Sequence, residues 1–352
     1  MKKIKSFAQR LLLLTVPFAF VMASCEEELV GPQVGGTPTA TFDHFWKTFD
    51  THYGLFEVKQ IDWDEIFRQH RSRITDTMTD EELYQVLTDM MNPLNDNHLN
   101  VYPTNGTMPV YPGGIFKYEN GKPVITKVQE DFDLEVAKRY LIDYQQITPN
   151  VGYGKLPHNV YYLNIKGTDG LKQLEKQMEK ALMDMADASG LIIDIRGFYG
   201  GYDPVSQYLA GCFVSSRSLY MTTRKRNGPN HGDFTPALEW YVEPKPQAFT
   251  KPIVVLTSLF TQSAGETFLM AMKTAPHVKT VGGTTAGSLS DNPNFELPNG
   301  WMFSVSVGDY RAADGKSYEG IGLTPDVVTT TTREDLLAGK DPVLERALEI
   351  LK

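Results

Sequence analysis

The feature that most constrains this chain is a pair of short, nearly continuous apolar runs, each followed by a turn of small residues and a helical pattern. The first is Leu191-Ile192-Ile193-Asp194-Ile195, directly after Gly190; the second is Ile253-Val254-Val255-Leu256-Thr257. Apolar runs without polar alternation are buried on both faces, as in the strands of a parallel sheet covered by helices. The flanks supply those helices. Leu171, Leu174, Met178, Leu182 and Met185 form one stripe before the first run. Val205, Leu209, Cys212 and Phe213 follow it, and Phe268, Leu269 and Met272 follow the second. Strand and helix in alternation predict an α/β fold.

The chain ahead of this core reads differently. Phe42, Phe45, Trp46 and Phe49 recur at helical spacing, as do Trp63, Ile66, Phe67 and His70. Thr79 and Glu82 form a capping box before Leu83, Val86, Leu87 and Met90, and Pro93 ends that helix. Residues 41–99 are therefore expected to be a small helical domain. Residues 100–160 carry short strand and turn signals, such as Tyr111-Pro112-Gly113-Gly114 and Asn120-Gly121, and form a strand-rich connection. Residues 161–352 are expected to form the α/β core.

Chemistry concentrates at the ends of the two apolar runs. The second leads into Gln262-Ser263-Ala264-Gly265-Glu266, which opens a helix. A serine there has two roles open to it. As an N-cap it serves the helix alone. As a nucleophile it profits from free N–H groups, such as that of Ala264, and from the positive end of the helix dipole, both of which favour an oxyanion. The first run leads into Asp194-Ile195-Arg196-Gly197-Phe198-Tyr199-Gly200-Gly201. Glycines beyond the carboxyl end of a parallel strand form a turn or a ligand loop. The N–H of Gly200 or Gly201 is the candidate second oxyanion donor.

A serine nucleophile needs a base. Of seven histidines, His98 stands out. It lies in Asn95-Asp96-Asn97-His98-Leu99-Asn100, past a helix end and among polar residues, either as a hydrogen-bonded loop histidine or as the base. Glu319, in Ser317-Tyr318-Glu319-Gly320, is the candidate third partner that orients it. No Cys/His cluster has metal-ligand spacing and no phosphate loop is present, so no cofactor is expected.

Four stretches taken in order resemble the tail-specific, or C-terminal processing, serine peptidase family. Its Asp-x-Arg-x-Asn-x-Gly-Gly loop is similar to Asp194 to Gly201, with Phe198 in the asparagine position. Its Ser-Ala-Ser-Glu motif is similar to Ser263 to Glu266, its Asp-Gly-His to Asp96 to His98, and its Asp-Gly-Gly/Lys-Ser-x-Glu-Gly-x-Gly-x-x-Pro-Asp run to Asp314 to Asp326. The resemblance implies a crotonase/ClpP-like core with a helical N-terminal region. Residues 100–160 lack a carboxylate-binding loop of the PDZ type, so no complete PDZ domain is expected. Where one branch of the family places the lysine of a Ser–Lys dyad, this chain has Ser288. The other branch, similar to the tricorn core protease, uses Ser and His, with a Glu acting through a hydroxyl residue beside the His. Asn97 occupies that position. The resemblance thus implies Ser263, His98, Glu319 and Asn97 as the catalytic set, and a peptide or protein as substrate.

The N-terminus supplies an address. Lys2, Lys3, Lys5 and Arg10 precede the apolar stretch Leu11 to Ala23, which is too short to span a bilayer, and Met22-Ala23-Ser24-Cys25 follows. This resembles a lipoprotein signal, with residues 1–24 removed and Cys25 lipidated. Residues 25–40, rich in Gly, Pro and Thr, would form a tether. The expected location is the cell envelope, held to the outer membrane, with exposure at the surface as an open alternative. A net charge of −9 argues against a nucleic-acid partner. Cys212, within an apolar run, reads as a buried small hydrophobe. The rival readings are a non-catalytic ligand- or peptide-binding lipoprotein on the same fold, and an esterase using the same Ser–His pair.

Overall fold

The structure is a computed structural model. It describes residues 35–352 except 105, 107, 112, 114–116, 120–121 and 125–130. The signal segment, Cys25, most of the tether and the Asn120-Gly121 turn lie outside the described residues.

Seven strands form the central sheet: β1 (Asp143–Gln146), β2 (Val151–Lys155), β3 (Val160–Ile165), β4 (Gly190–Asp194), β5 (Ile253–Thr257), β6 (Val278–Gly282) and β7 (Val327–Val328). Their spatial order follows the chain. β3 to β7 are parallel, and β1 and β2 extend one edge as an antiparallel meander. The two apolar runs are neighbours at its centre, with Val255 paired to Ile193 on one side and Thr280 on the other.

Alternate residues of these strands meet different helices, which is why the runs are apolar throughout. Leu191, Ile193, Ile253 and Val255 pack with Leu174 and Met178 of α4 (Leu171–Asp184), Val205 and Leu209 of α5 (Asp203–Gly211) and Phe268 and Met272 of α6 (Ala264–Met272). Ile192, Val254 and Leu256 face the other way, onto Val343, Leu344 and Ala347 of α7 (Pro342–Ile350). The mixed α/β class expected from the sequence is the one observed. Leu171, read as part of the α4 stripe, is more than a third exposed, because it sits in the helix's first turn at the rim.

The N-terminal helices are α1 (Pro38–His52), α2 (Trp63–Arg71) and α3 (Asp80–Met91). Each start is fixed by a side chain that satisfies a helix N–H: Thr37, Asp62 and Thr79. Thr79 and Glu82 complete the capping box, and beyond Met91 a turn of 3₁₀-helix at Asn92–Leu94 contains Pro93. Phe42, Phe45, Phe49 and Trp63 form an aromatic core, joined by residues remote in sequence: Leu297, Trp301, Phe303 and Val305. The Phe303 ring lies 5.1 Å from that of Phe45. Its strand, Met302–Ser304, pairs with Val101–Tyr102 and Asn294–Glu296. A segment of the C-terminal half therefore completes the helical layer, and it emerges beside His98. Among the described residues no helix is long and apolar enough to cross a membrane.

Candidate active site

The ends of β4 and β5 build the Ser263 turn, the candidate nucleophile turn. Arg196 is fully buried. Its guanidinium is gripped by Asp194 (Nη2 to Oδ2, 2.7 Å) and Asp341 (Nη1 to Oδ1, 2.9 Å), and lies 4.5 Å from the centre of the Phe132 ring. Burial opposes its charge, and the two carboxylates more than offset that, holding its pKa well above the ordinary value. This clamp fixes the backbone beyond β4, which in turn fixes the turn beyond β5. Ser258 Oγ donates to the Arg196 carbonyl, Thr261 Oγ1 to that of Ile195, and the Gln262 N–H to that of Phe198.

Ser263 follows, half-buried, at φ 51° and ψ −118°. A non-glycine residue at positive φ costs about 1–3 kcal/mol and persists only where its surroundings impose it. Here its N–H is held by the Ser288 carbonyl (3.1 Å) and by Glu266 Oε2 (3.2 Å). Gly200 packs directly on it. A Cβ at position 200, where φ is +121°, would lie 2.9 Å from Ser263 Cβ. The Ala264 and Gly200 N–H groups carry no hydrogen bond among the described residues. At Gly201, the alternative donor, a Cβ would meet Thr168 Oγ1 rather than Ser263, and its N–H likewise carries no hydrogen bond among the described residues.

Glu266 was quoted in the sequence only as part of a motif. In the structure it organises the site. It is fully buried: Oε1 accepts from Thr285 Oγ1 (2.5 Å) and the Gly287 N–H (2.8 Å), and Oε2 from the Ser288 N–H (2.7 Å) besides that of Ser263. Burial pushes its pKa up to about 7 against these hydrogen bonds. The sequence signal was the Ser-x-x-Glu spacing of a capping box, in which the glutamate reaches back to the cap N–H.

The 285–289 loop is the hub. Asn97 Nδ2 donates to Ser288 Oγ (2.8 Å) and to the Ala286 carbonyl (3.4 Å), and the Leu289 N–H donates to Glu319 Oε2 (2.6 Å). Ser288 thus touches both the Ser263 amide and the residue before His98. This brings the His98 loop, the nucleophile turn and the Glu319 segment onto one short stretch of backbone. Asn97 braces that stretch; among the described residues no hydrogen bond links it to Glu319, and none links the His98 ring to Ser263 or Glu319.

His98 is fixed through its backbone. Its N–H donates to Asp96 Oδ1 (2.9 Å), and its carbonyl accepts from Ser304 Oγ (2.6 Å) and Asn100 Nδ2 (3.1 Å). Nδ1 is buried and without a partner. Burial is the main cause pushing the imidazole pKa below its usual value; Lys59 adds to it, while Asp96 and Asp291 oppose. The ring is therefore neutral at pH 7, the form that accepts a proton. Glu319 is pushed up to about 8, first by burial and then by the Asp96 charge, with Lys59 and the Leu289 N–H opposing. Lys59 Nζ stands 2.9 Å from Glu319 Oε1, an ion contact by distance whose alignment falls short of a hydrogen bond. Sequence reasoning did not find Lys59; a lysine ending a short helix carries no motif.

Other candidates lie apart. The Cys212 thiol is buried and its pKa is pushed up to about 12 by that burial, which makes it unreactive. His231 meets Asp50, and His277 the Phe213 carbonyl. Among the described residues no group of three or more His, Cys, Asp or Glu is arranged to hold a metal ion.

Comparison with known proteins gives this geometry a context. Residues 159–329 match the model of peptidase family S41, and residues 38–92 that of the tricorn protease C1 domain. The tricorn protease of Thermoplasma volcanium is 27% identical over 220 residues, covering 61% of this chain and 19% of that protein. The carboxy-terminal processing protease CtpA of Bacillus subtilis is 28% identical over 160 residues, covering 46% of this chain and 31% of that protein. The chain spans a third or less of the length of these two curated relatives. A crystal structure of a candidate peptidase from Parabacteroides merdae superposes with a TM-score of 0.76 at 25% identity, covering 90% of this chain and 96% of that one. The S41 match runs from β3 to β7 and includes the Ser263 turn and the Glu319 segment, and together with the tricorn C1 match and these relatives it supports a C-terminal processing peptidase of the S41 type.

Proposed function

We propose that the protein is a serine peptidase that hydrolyses peptide bonds through an acyl-enzyme, acting at the cell envelope where a lipid on Cys25 tethers it. The observation that carries the catalytic reading is Ser263 itself, held at positive φ at the start of α6 with Gly200 against its Cβ. In this reading His98 takes the Oγ proton as Oγ bonds to the substrate carbonyl carbon. The Ala264 and Gly200 N–H groups receive the oxyanion. His98 then returns the proton to the leaving amine as the C–N bond breaks, and the same base activates the water that releases the acyl group. Glu319 and Asn97 act as positioning residues, Asn97 through the 285–289 loop. Hydrogen bonds between nucleophile and base are often unformed before substrate binds.

The experiment is cleavage of a mixed peptide library by the protein, read by mass spectrometry, beside Ser263→Ala and His98→Ala. New termini that vanish in both variants are the expected result. Peptides retained intact on well-folded protein would instead favour a binding lipoprotein, and turnover of esters alone an esterase. Cleavage should rise with pH through the His98 titration, at or below the ordinary imidazole range. The address rests on the sequence pattern at residues 2–25. Cys25→Ala should release the protein from the membrane fraction, and retention there would exclude the anchor.

A further inference from the structure

Lys59 ends the short helix Phe56–Lys59, between α1 and α2, far from the catalytic residues in sequence. Its side chain is nevertheless almost wholly buried, 9% exposed, against a Glu319 side chain that is 0% exposed. Such burial of a lysine is rare unless the ammonium is paired. Its Nζ makes two contacts, and both are with segments of the site. One is Glu319 Oε1 at 2.9 Å; the other is the Asn95 carbonyl at 3.0 Å, three residues before His98. The same ammonium therefore joins the His98 loop to the Glu319 segment, where no hydrogen bond joins the two directly among the described residues.

The surroundings are asymmetric in charge. Glu319 is faced by Asp96, Lys59 and the Tyr53 hydroxyl, and His98 by Asp96, Asp291 and Lys59. Tyr53 OH donates to Asp96 Oδ2 at 3.1 Å. Lys59 is the one cation in both sets. It also borders a cavity of about 510 Å³ lined by Pro93, Asn95, Arg311 and Glu319, so one side of the pair faces space rather than packing.

We propose that Lys59 is a positioning residue for the Ser263–His98 pair: its ammonium locks the Asn95–His98 loop to Glu319. The inference rests on the serine-peptidase reading for its catalytic consequence, but not for its structural one. Removing the cation leaves burial alone to oppose Asp96 and Asp291 beside His98, so the imidazole holds its proton to somewhat higher pH. Loss of the link to Asn95 also lets the loop drift from Ser263.

The test uses the full chain as wild type, Lys59→Arg and Lys59→Met, with two readouts. The His98 imidazole titration is followed by NMR, and the rate of Ser263 labelling by a fluorophosphonate is followed against pH. In Lys59→Met the titration is expected to move up by about half a unit or more, a threefold or greater loss of neutral base on the acid limb. The plateau labelling rate is expected to fall about tenfold, as a loss of orientation would produce. Lys59→Arg should keep the wild-type titration. If Lys59→Met does not fold, the pair Lys59→Met with Glu319→Gln removes the stranded carboxylate and should show the same upward movement. A His98 titration unchanged in the folded variant would overturn the proposal, because a purely structural lysine would lower the rate without moving it. Wild-type protein that never labels would reject the peptidase reading, while the imidazole titration would still decide the role of Lys59.

Discussion

At the residue scale the site turns on the contact between Ser263 and Gly200. The serine backbone adopts a conformation that side chains avoid, and two hydrogen bonds to its N–H impose it. Gly200 allows the approach, since any Cβ there would press on Ser263 Cβ. Gly200→Ala should therefore cut the labelling rate about 10²-fold, by displacing an oxyanion donor and the nucleophile together. Measured labelling within a few-fold of wild type would remove Gly200 from the site. Much at this scale was legible in the sequence. Ser263, His98 and the glycine pair stood out because each lies in a turn of small or polar residues at the end of a strand or helix. What escaped was direction. The sequence offered Gly200 and Gly201 equally, and only the fold shows that a side chain at 200 would meet Ser263 and one at 201 would meet Thr168.

At the scale of elements, the 285–289 loop links the Ser263 turn, the His98 loop and the Glu319 segment, and two buried carboxylates, Glu266 and Glu319, hold it. The position where some relatives are expected to carry a lysine is here Ser288, whose carbonyl, hydroxyl and N–H are all engaged. Glu266 makes a prediction about stability. Its folded pKa, about 7, lies above the ordinary glutamate value of 4.5. The native state thus favours the protonated form. That contribution is fully present below pH 4.5 and is lost as pH rises through about 7, at a cost of about 3 kcal/mol. Chemical denaturation from pH 5 to 8 should show wild type losing stability more steeply than Glu266→Gln, which has no charge to bury. Parallel curves would contradict this. The capping spacing of Ser263 and Glu266 was visible in the sequence. The bonds to residues 285–288 were not, since they depend on where β6 delivers the chain.

At the scale of the whole molecule, the helical layer and the sheet are less separable than the sequence suggested. The apolar patterns of residues 41–94 marked α1, α2 and α3 because each helix carries its own periodicity and cap. The pattern of residues 295–305 is too short to declare its partner, and it packs among those helices. Ser304, in that strand, holds the His98 carbonyl. Phe303→Ala should therefore cost about 3–5 kcal/mol by emptying a place in the aromatic core, and should also slow labelling, since the same strand holds the His98 loop. A large fall in stability with labelling unchanged would show the two layers to be uncoupled. Lys59 works between the same layers, from the helical side.

The central claim is that these layers converge to activate one serine. It is tested most directly by intact-mass spectrometry after fluorophosphonate treatment of the wild-type protein and Ser263→Ala. The account predicts a single adduct on the wild type and none on the variant. Folded wild-type protein that stays unmodified, or an adduct that persists without Ser263, would contradict it.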